Sequence, residues 1–226
     1  MIYGLEKYEG TVRRLLGKVP LLKTEQVIIF LMKTYGDMSE ELAASILTAI
    51  QRRGYLLLSE DGWCMTKPIY VELTGDNAFT DHYSYGPYRL PLMEEKCRER
   101  NKKITDIMWL IADLAPLSED FFLTGAPWDA VFVDEGDEER PSRIYEFIHI
   151  SERAENAVTE MLRILPEIKE KEERDAIVRI AVMENGSHSW KIPRRGFRSI
   201  VEIDDESPTH YRIVEKREGK EVWADE

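Results

Sequence analysis

Cysteine is nearly absent from this chain: Cys64 and Cys97 are the only two among 226 residues. They lie far apart, with no Cys-x-x-Cys pair and no Cys/His ligand spacing, which argues against both a disulfide framework and a structural zinc site. Long apolar runs are missing as well. No stretch approaches the roughly 20 residues that a spanning helix needs, and Glu6, Lys7 and Glu9 stand where a signal peptide would carry its apolar core. The expectation is a cytoplasmic protein with no membrane partner. No glycine-rich phosphate loop follows an expected strand, no GxSxG or comparable nucleophile motif occurs, and His82, His149, His188 and His210 share no ligand spacing. Nucleophilic catalysis by Ser, Cys or His therefore lacks support, and neither a metal nor a cofactor is expected.

Positive charge is also scarce. The formal net charge is -12, which argues against a protein that coats nucleic acid nonspecifically, because phosphate binding depends on clustered cations. The deficit is uneven. Residues 1–67 hold nine Lys/Arg against eight Asp/Glu, whereas the remainder holds 22 against 35. Any contact with nucleic acid belongs in the N-terminal part. In the acidic part the one dense cationic patch is Lys191, Arg194, Arg195 and Arg198, which reads first as a solvated loop and second as a contact for phosphate or an acidic partner.

What is present is clear punctuation. Leu5, Tyr8, Val12, Leu15 and Leu16 recur at helical spacing over residues 1–18. A second helix is expected from Thr24, as its N-cap, to Gly36; a third follows an Asp37/Glu40 capping pattern and stops at Gly54. Tyr55–Leu58 and Trp63–Thr66 flank a Ser-Glu-Asp-Gly turn and predict a hairpin. Three helices followed by a hairpin resemble a winged helix, assigned to residues 1–67.

From Pro68 to Pro91 the periodicity fades and Phe79, His82, Tyr83, Tyr85 and Tyr88 crowd together, as in an ordered connector whose aromatics pack at a domain junction. A charged helix over 92–103 and a more apolar one over 104–114 follow. The connector and first of these helices form a segment 68–103, ahead of a domain over 104–226. There, strands are expected at 121–123, 130–133, 143–150 and 177–183, with a helix at 154–165 before the last of them, and further strand-like pieces at 200–203, 211–214 and 222–223. The overall expectation is a mixed α+β or α/β chain.

Two constellations carry possible chemistry. In a winged helix the third helix enters the major groove, and here its outer face offers Ser45, Thr48, Gln51 and Arg52, with Arg13 and Arg14 as backbone contacts from the first helix. Glu40, Glu41, Glu60 and Asp61 oppose this use. The second constellation is Pro127, Trp128 and Asp129 on one strand, followed by Glu146 on the next long strand. Metal-dependent nucleases of the PD-(D/E)XK type place an Asp and a Glu on adjacent strands around Mg²⁺, with a Lys two residues after the Glu. Here that position is Ile148, and Glu146 has Arg143, Arg179 or Lys191 as candidate ion-pair partners.

The helix over 104–114, Phe121, Phe122, residues 127–133 and residues 145–150, behind a winged-helix start, resemble uncharacterised proteins of conjugative elements in Gram-positive gut bacteria. The layout is similar to the replication-relaxation family of mobile elements, in which a winged helix precedes a nuclease-like domain. The resemblance covers most of residues 24–166 and places the family Pro, Asp and Glu at Pro127, Asp129 and Glu146. It implies a degenerate nuclease-like domain and an accessory role in replication, transfer or regulation of a mobile element. Three functions stay open: a non-enzymatic DNA-associated accessory protein with double-stranded DNA as partner; a protein-interaction module or homodimer; and a divalent-metal nuclease using Asp129 and Glu146.

Overall fold

Apolar residues every third or fourth position fold the start of the chain into three helices: α1 (Leu5–Lys18), α2 (Thr24–Tyr35) and α3 (Glu40–Gln51). Each buries one stripe, Val12, Leu15 and Leu16 on α1, Val27, Phe30 and Leu31 on α2, and Ala43, Ile46, Leu47 and Ile50 on α3. The helix starts differ from the sequence expectation. At α2 the cap is made backwards by Gln26, whose Oε1 accepts from the Lys23 amide at 3.0 Å, and Thr24 is already helical. At α3 the N-cap is Ser39, whose hydroxyl accepts from the Leu42 amide at 3.3 Å, so Asp37 lies outside the helix.

The structure is a computed structural model and describes residues 4–59, 61–75, 90–114, 121–123, 128–136, 138, 141–150, 171–184 and 195–223. Several expectations fall outside these residues: the aromatic run Phe79 to Tyr88, the helix over 154–165, Pro127, and Lys191 and Arg194 of the basic cluster.

The hairpin forms as β2 (Leu56–Leu58) and β3 (Trp63–Thr66), and a third strand, β1 (Leu21–Lys23), pairs antiparallel with β3 to give the order β1-β3-β2. Strand β1 was not expected, because three residues are too few to show alternation. Both faces of this small sheet are covered. Leu22, Cys64 and Leu56 are buried on one side. On the other, Leu21, Leu57, Trp63 and Met65 pack with Ile69, Tyr70 and Leu73 of α4 (Lys67–Thr74) and with Cys97 of α5 (Leu90–Leu114). Burial pushes both cysteine thiols up to about 12, which keeps them protonated and inert.

Helix α4 replaces the start of the expected connector: Pro68 sits at the first turn, where a missing N–H costs nothing, and so begins the helix. Helix α5 replaces two expected helices. Nothing between Lys103 and Ile104 breaks a helix, so the change from charged to apolar sequence marks only a change in burial along one rod. Its docking is polar as well as apolar. Gln26 Nε2 donates to the Thr105 carbonyl at 2.6 Å, Lys33 Nζ donates to the Asp113 carbonyl at 2.8 Å, and Asn101 Nδ2 donates to the Leu21 carbonyl.

The remaining strands make a mixed six-stranded sheet in sequence order: β4 (Phe121–Leu123), β5 (Ala130–Asp134), β6 (Arg143–Ile150), β7 (Ile177–Met183), β8 (Ser199–Ile203) and β9 (Tyr211–Lys216). Pairs β4–β5, β5–β6 and β8–β9 are antiparallel, and β6–β7 and β7–β8 are parallel. The parallel pairs require crossovers, the first of which ends in the short helix α6 (Lys171–Ala176). Runs of four consecutive buried residues in β6, β7 and β8 match their central places in the sheet. Val222 and Trp223, expected as strand, lie in a 3-10 turn over Gly219–Trp223.

The chain divides into two compact units, Met1–Met108 with Ala112–Glu119, and Trp109–Ile111 with Asp120–Glu226. The sequence placed its boundaries at 67/68 and 103/104. The division falls later because α4 and α5 complete the hydrophobic cover of the first sheet. Among the described residues no helix is long and apolar enough to cross a membrane.

Candidate functional site

On α3 the amphipathic pattern that buries Ala43, Ile46, Leu47 and Ile50 leaves Ser45, Thr48 and Arg52 exposed; Gln51 is partly covered. Thr48 Oγ1 donates to the Ala44 carbonyl at 3.0 Å, which fixes its rotamer and leaves its methyl and lone pairs outward. The same face carries Leu42, 41% exposed. Glu41 stays ionised at the helix N-terminus, because its own amide and Ser39 hold its carboxyl below the ordinary range.

The other predicted DNA contacts are already engaged. Arg13 donates from Nε and Nη2 to Glu9 Oε1 at 2.9 and 2.7 Å, and its guanidinium lies 3.8 Å from the Tyr55 ring centroid. Arg53 donates from Nη1 to the second Glu9 oxygen at 2.8 Å and approaches Glu6 at 3.5 Å. The hydrogen bond from Arg13, reinforced by Arg53, holds the Glu9 carboxyl below its usual range. Arg14 donates to Thr11 Oγ1 at 3.2 Å. The hairpin loop is short and tied down: the Ser59 hydroxyl accepts from the Trp63 amide at 3.0 Å, the Gly62 carbonyl accepts from the Thr24 amide at 2.8 Å, and Gly62 takes φ +79°.

In the second unit the register places Val131 opposite Glu146, so Asp129, one step before β5, falls opposite Ile148 on the face that Glu146 shares. The Asp and Glu are therefore on neighbouring strands and one face. Both carboxylates have partners. Asp129 Oδ2 accepts from the His149 amide at 2.7 Å while its own amide donates to the Phe147 carbonyl at 2.9 Å, closing the end of the β5–β6 ladder. Glu146 Oε2 accepts from Arg179 Nε at 2.8 Å, with only 15% and 13% of the two side chains exposed.

Arg179 is in turn held by aromatics. Its guanidinium lies 5.2 Å from the Trp128 ring and 6.0 Å from the Trp223 ring. Gly196, at φ +84°, lets the chain close over it; a Cβ there would stand 3.3 Å from Trp223 and 3.4 Å from Arg179 Nη1. Ile148, in the position of the nuclease lysine, is buried with Ile150, Ala181, Met183, Phe197 and Ile200, against which Trp128 packs. A cation thus sits beside Glu146, supplied by the next strand. Among the described residues no group of three or more His, Cys, Asp or Glu side chains is arranged to hold a metal ion.

Sequence reasoning named Arg179 as one possible partner of Glu146 and missed Glu9 and Arg53. The Glu9/Arg13 pair was visible as an i, i+4 spacing on α1; the Arg53 contact joins residues 44 apart and has no local signal. No family model matches the chain, and no curated protein or solved structure matches it.

Proposed function

We propose that the chain is a non-enzymatic, DNA-associated accessory or regulatory protein, in which the first unit is a winged-helix module that presents the outer face of α3 to duplex DNA. The order α1-β1-α2-α3-β2-β3 with antiparallel sheet order β1-β3-β2 supports the winged-helix reading. The observation that carries the functional one is the exposure of Ser45, Thr48 and Arg52 on a helix whose opposite face is entirely buried. Hydroxyls and a guanidinium are competent readers of base edges and phosphates.

Binding on this reading is weak. Arg13 and Arg53 already have carboxylate partners, so few phosphates are neutralised and little counterion is released. Fluorescence anisotropy of a mixed-sequence duplex at low salt tests the proposal. Saturable binding at micromolar protein is expected; no binding at tens of micromolar would end this reading.

For the second unit the same proposal includes a nuclease-like scaffold that does not cleave. Its support is the pair Asp129 and Glu146 on adjacent strands, with the Arg179 guanidinium on the carboxylate that a metal would need. The mobile-element setting implied by the sequence resemblance belongs to this proposal too, and rests on that resemblance alone.

A protein-interaction role has one observation of its own: Ile213 and Val214 on edge strand β9 are 56% and 43% exposed. It ranks second because the β-bulge facing Ile200/Val201 twists that edge out of line for pairing. A strictly monomeric mass in light scattering at high concentration would remove its homodimer form.

A further inference from the structure

The outer face of α3 changes character along its length. Its first turn carries Glu40 and Glu41, both exposed, and its C-cap is Arg52, also exposed. A phosphate backbone is repelled by the first end and attracted by the second. Contact with a duplex therefore falls to the second half of the helix, where the side chain that projects opposite the buried stripe, one turn before Arg52, is Thr48.

The hydrogen-bonding capacity of Thr48 is already divided. Its Oγ1 donates to the Ala44 carbonyl at 3.0 Å, so the hydroxyl proton is spent inside the helix. What it offers outward is a methyl group and an acceptor. Its neighbours one turn back, Ala44 and Ser45, are too short to screen it. Without a free proton it cannot donate to guanine N7 or O6. An A·T pair presents both counterparts of Thr48 in the major groove, the thymine C5-methyl and the adenine N6 amino group, whereas a G·C pair presents an amino group and no methyl.

We propose that Thr48 selects A·T pairs by packing its methyl against the thymine C5-methyl, with Arg52 on a nearby phosphate and Glu40 and Glu41 outside the groove. The inference rests on the DNA-binding reading of α3 and adds to it the base that this face prefers. The preference is modest, because burial of one methyl is worth about three- to fourfold in affinity.

Fluorescence anisotropy at low salt tests it with two duplexes of one A·T-rich sequence, the second carrying uracil in place of every thymine and so lacking only the C5-methyl groups. The wild type is expected to bind the thymine duplex about three- to fourfold more tightly. In Thr48→Ser, which keeps the hydroxyl and deletes the methyl, the ratio is expected to fall to about one; in Thr48→Val, which keeps a methyl and deletes the hydroxyl, the preference for thymine is expected to remain. Any difference in stiffness between the duplexes is common to all three proteins, so the change in ratio isolates the side-chain methyl. Equal binding of the two duplexes by the wild type, a ratio unchanged in Thr48→Ser, or a ratio of one in Thr48→Val would each overturn the thymine preference while leaving DNA binding by α3 standing. No binding of either duplex at tens of micromolar protein would overturn both.

Discussion

The two candidate surfaces differ in what their polar groups are already bonded to. On α3 the side chains that matter project from a helix whose packing is finished on the other side, so Ser45 and Arg52 remain exposed. Around Asp129 and Glu146 the polar groups are part of the packing itself: one carboxylate ends a strand ladder and the other neutralises a guanidinium wedged near two tryptophans. Arginine thus stays exposed in one place, at Arg52, and serves cohesion in the other, at Arg179. Arg13 and Arg53 show the intermediate case, on the surface yet spent on Glu9.

The largest effect that follows is on stability. Arg179→Ala leaves Glu146 without its partner in a mostly buried setting, and removal of one member of such a pair costs about 3–5 kcal/mol. Urea unfolding followed by tryptophan fluorescence measures it. A loss under about 1 kcal/mol would mean that the pair behaves like a surface salt bridge, and the contrast between the two surfaces would fail.

Asp129 comes next. Asp129→Ala removes the acceptor of the His149 amide and is expected to cost about 1–3 kcal/mol, whereas Asp129→Asn keeps an oxygen there and costs less. Supercoiled plasmid incubated with Mg²⁺ or Mn²⁺ is expected to stay intact with the wild type and with both variants. Cleavage by the wild type that Asp129→Asn abolishes would restore the nuclease reading and break the comparison.

The smallest effect belongs to Glu9. Its native carboxyl titrates below its unfolded counterpart, so its contribution to stability is present above the unfolded value and is lost as the pH falls through the lowered native one. Glu9→Gln is therefore expected to be slightly less stable than the wild type near neutral pH and to converge with it only once the pH has fallen below the lowered native value. A difference that persists undiminished into acid would show that charge is not its origin. The same variant frees Arg13 and Arg53 and is expected to bind duplex DNA more tightly.

These contrasts were only partly legible from the residues. Helices α1 to α3 and the hairpin carry local signals, periodic apolar stripes and glycine stops, and each formed within a few residues of its expected place. Strand β1 has no such signal, since its three residues acquire meaning only against β3, and Pro68 was ambiguous because proline both ends helices and begins them. At the site, the alternation that put Glu146 beside Ile148 was local, and so was the missing lysine. The cradle of Arg179 was not, because Trp128, Gly196 and Trp223 converge from segments far apart in the chain.

Whether the α3 face is open to a duplex decides the DNA-binding proposal. The most direct measurement is the salt dependence of duplex binding by anisotropy for the wild type and Arg52→Ala. One fewer phosphate contact predicts weaker binding at every salt concentration and a log–log slope shallower by about 0.9 in Arg52→Ala. Equal affinities and equal slopes would place any DNA contact elsewhere on the protein and contradict the proposal.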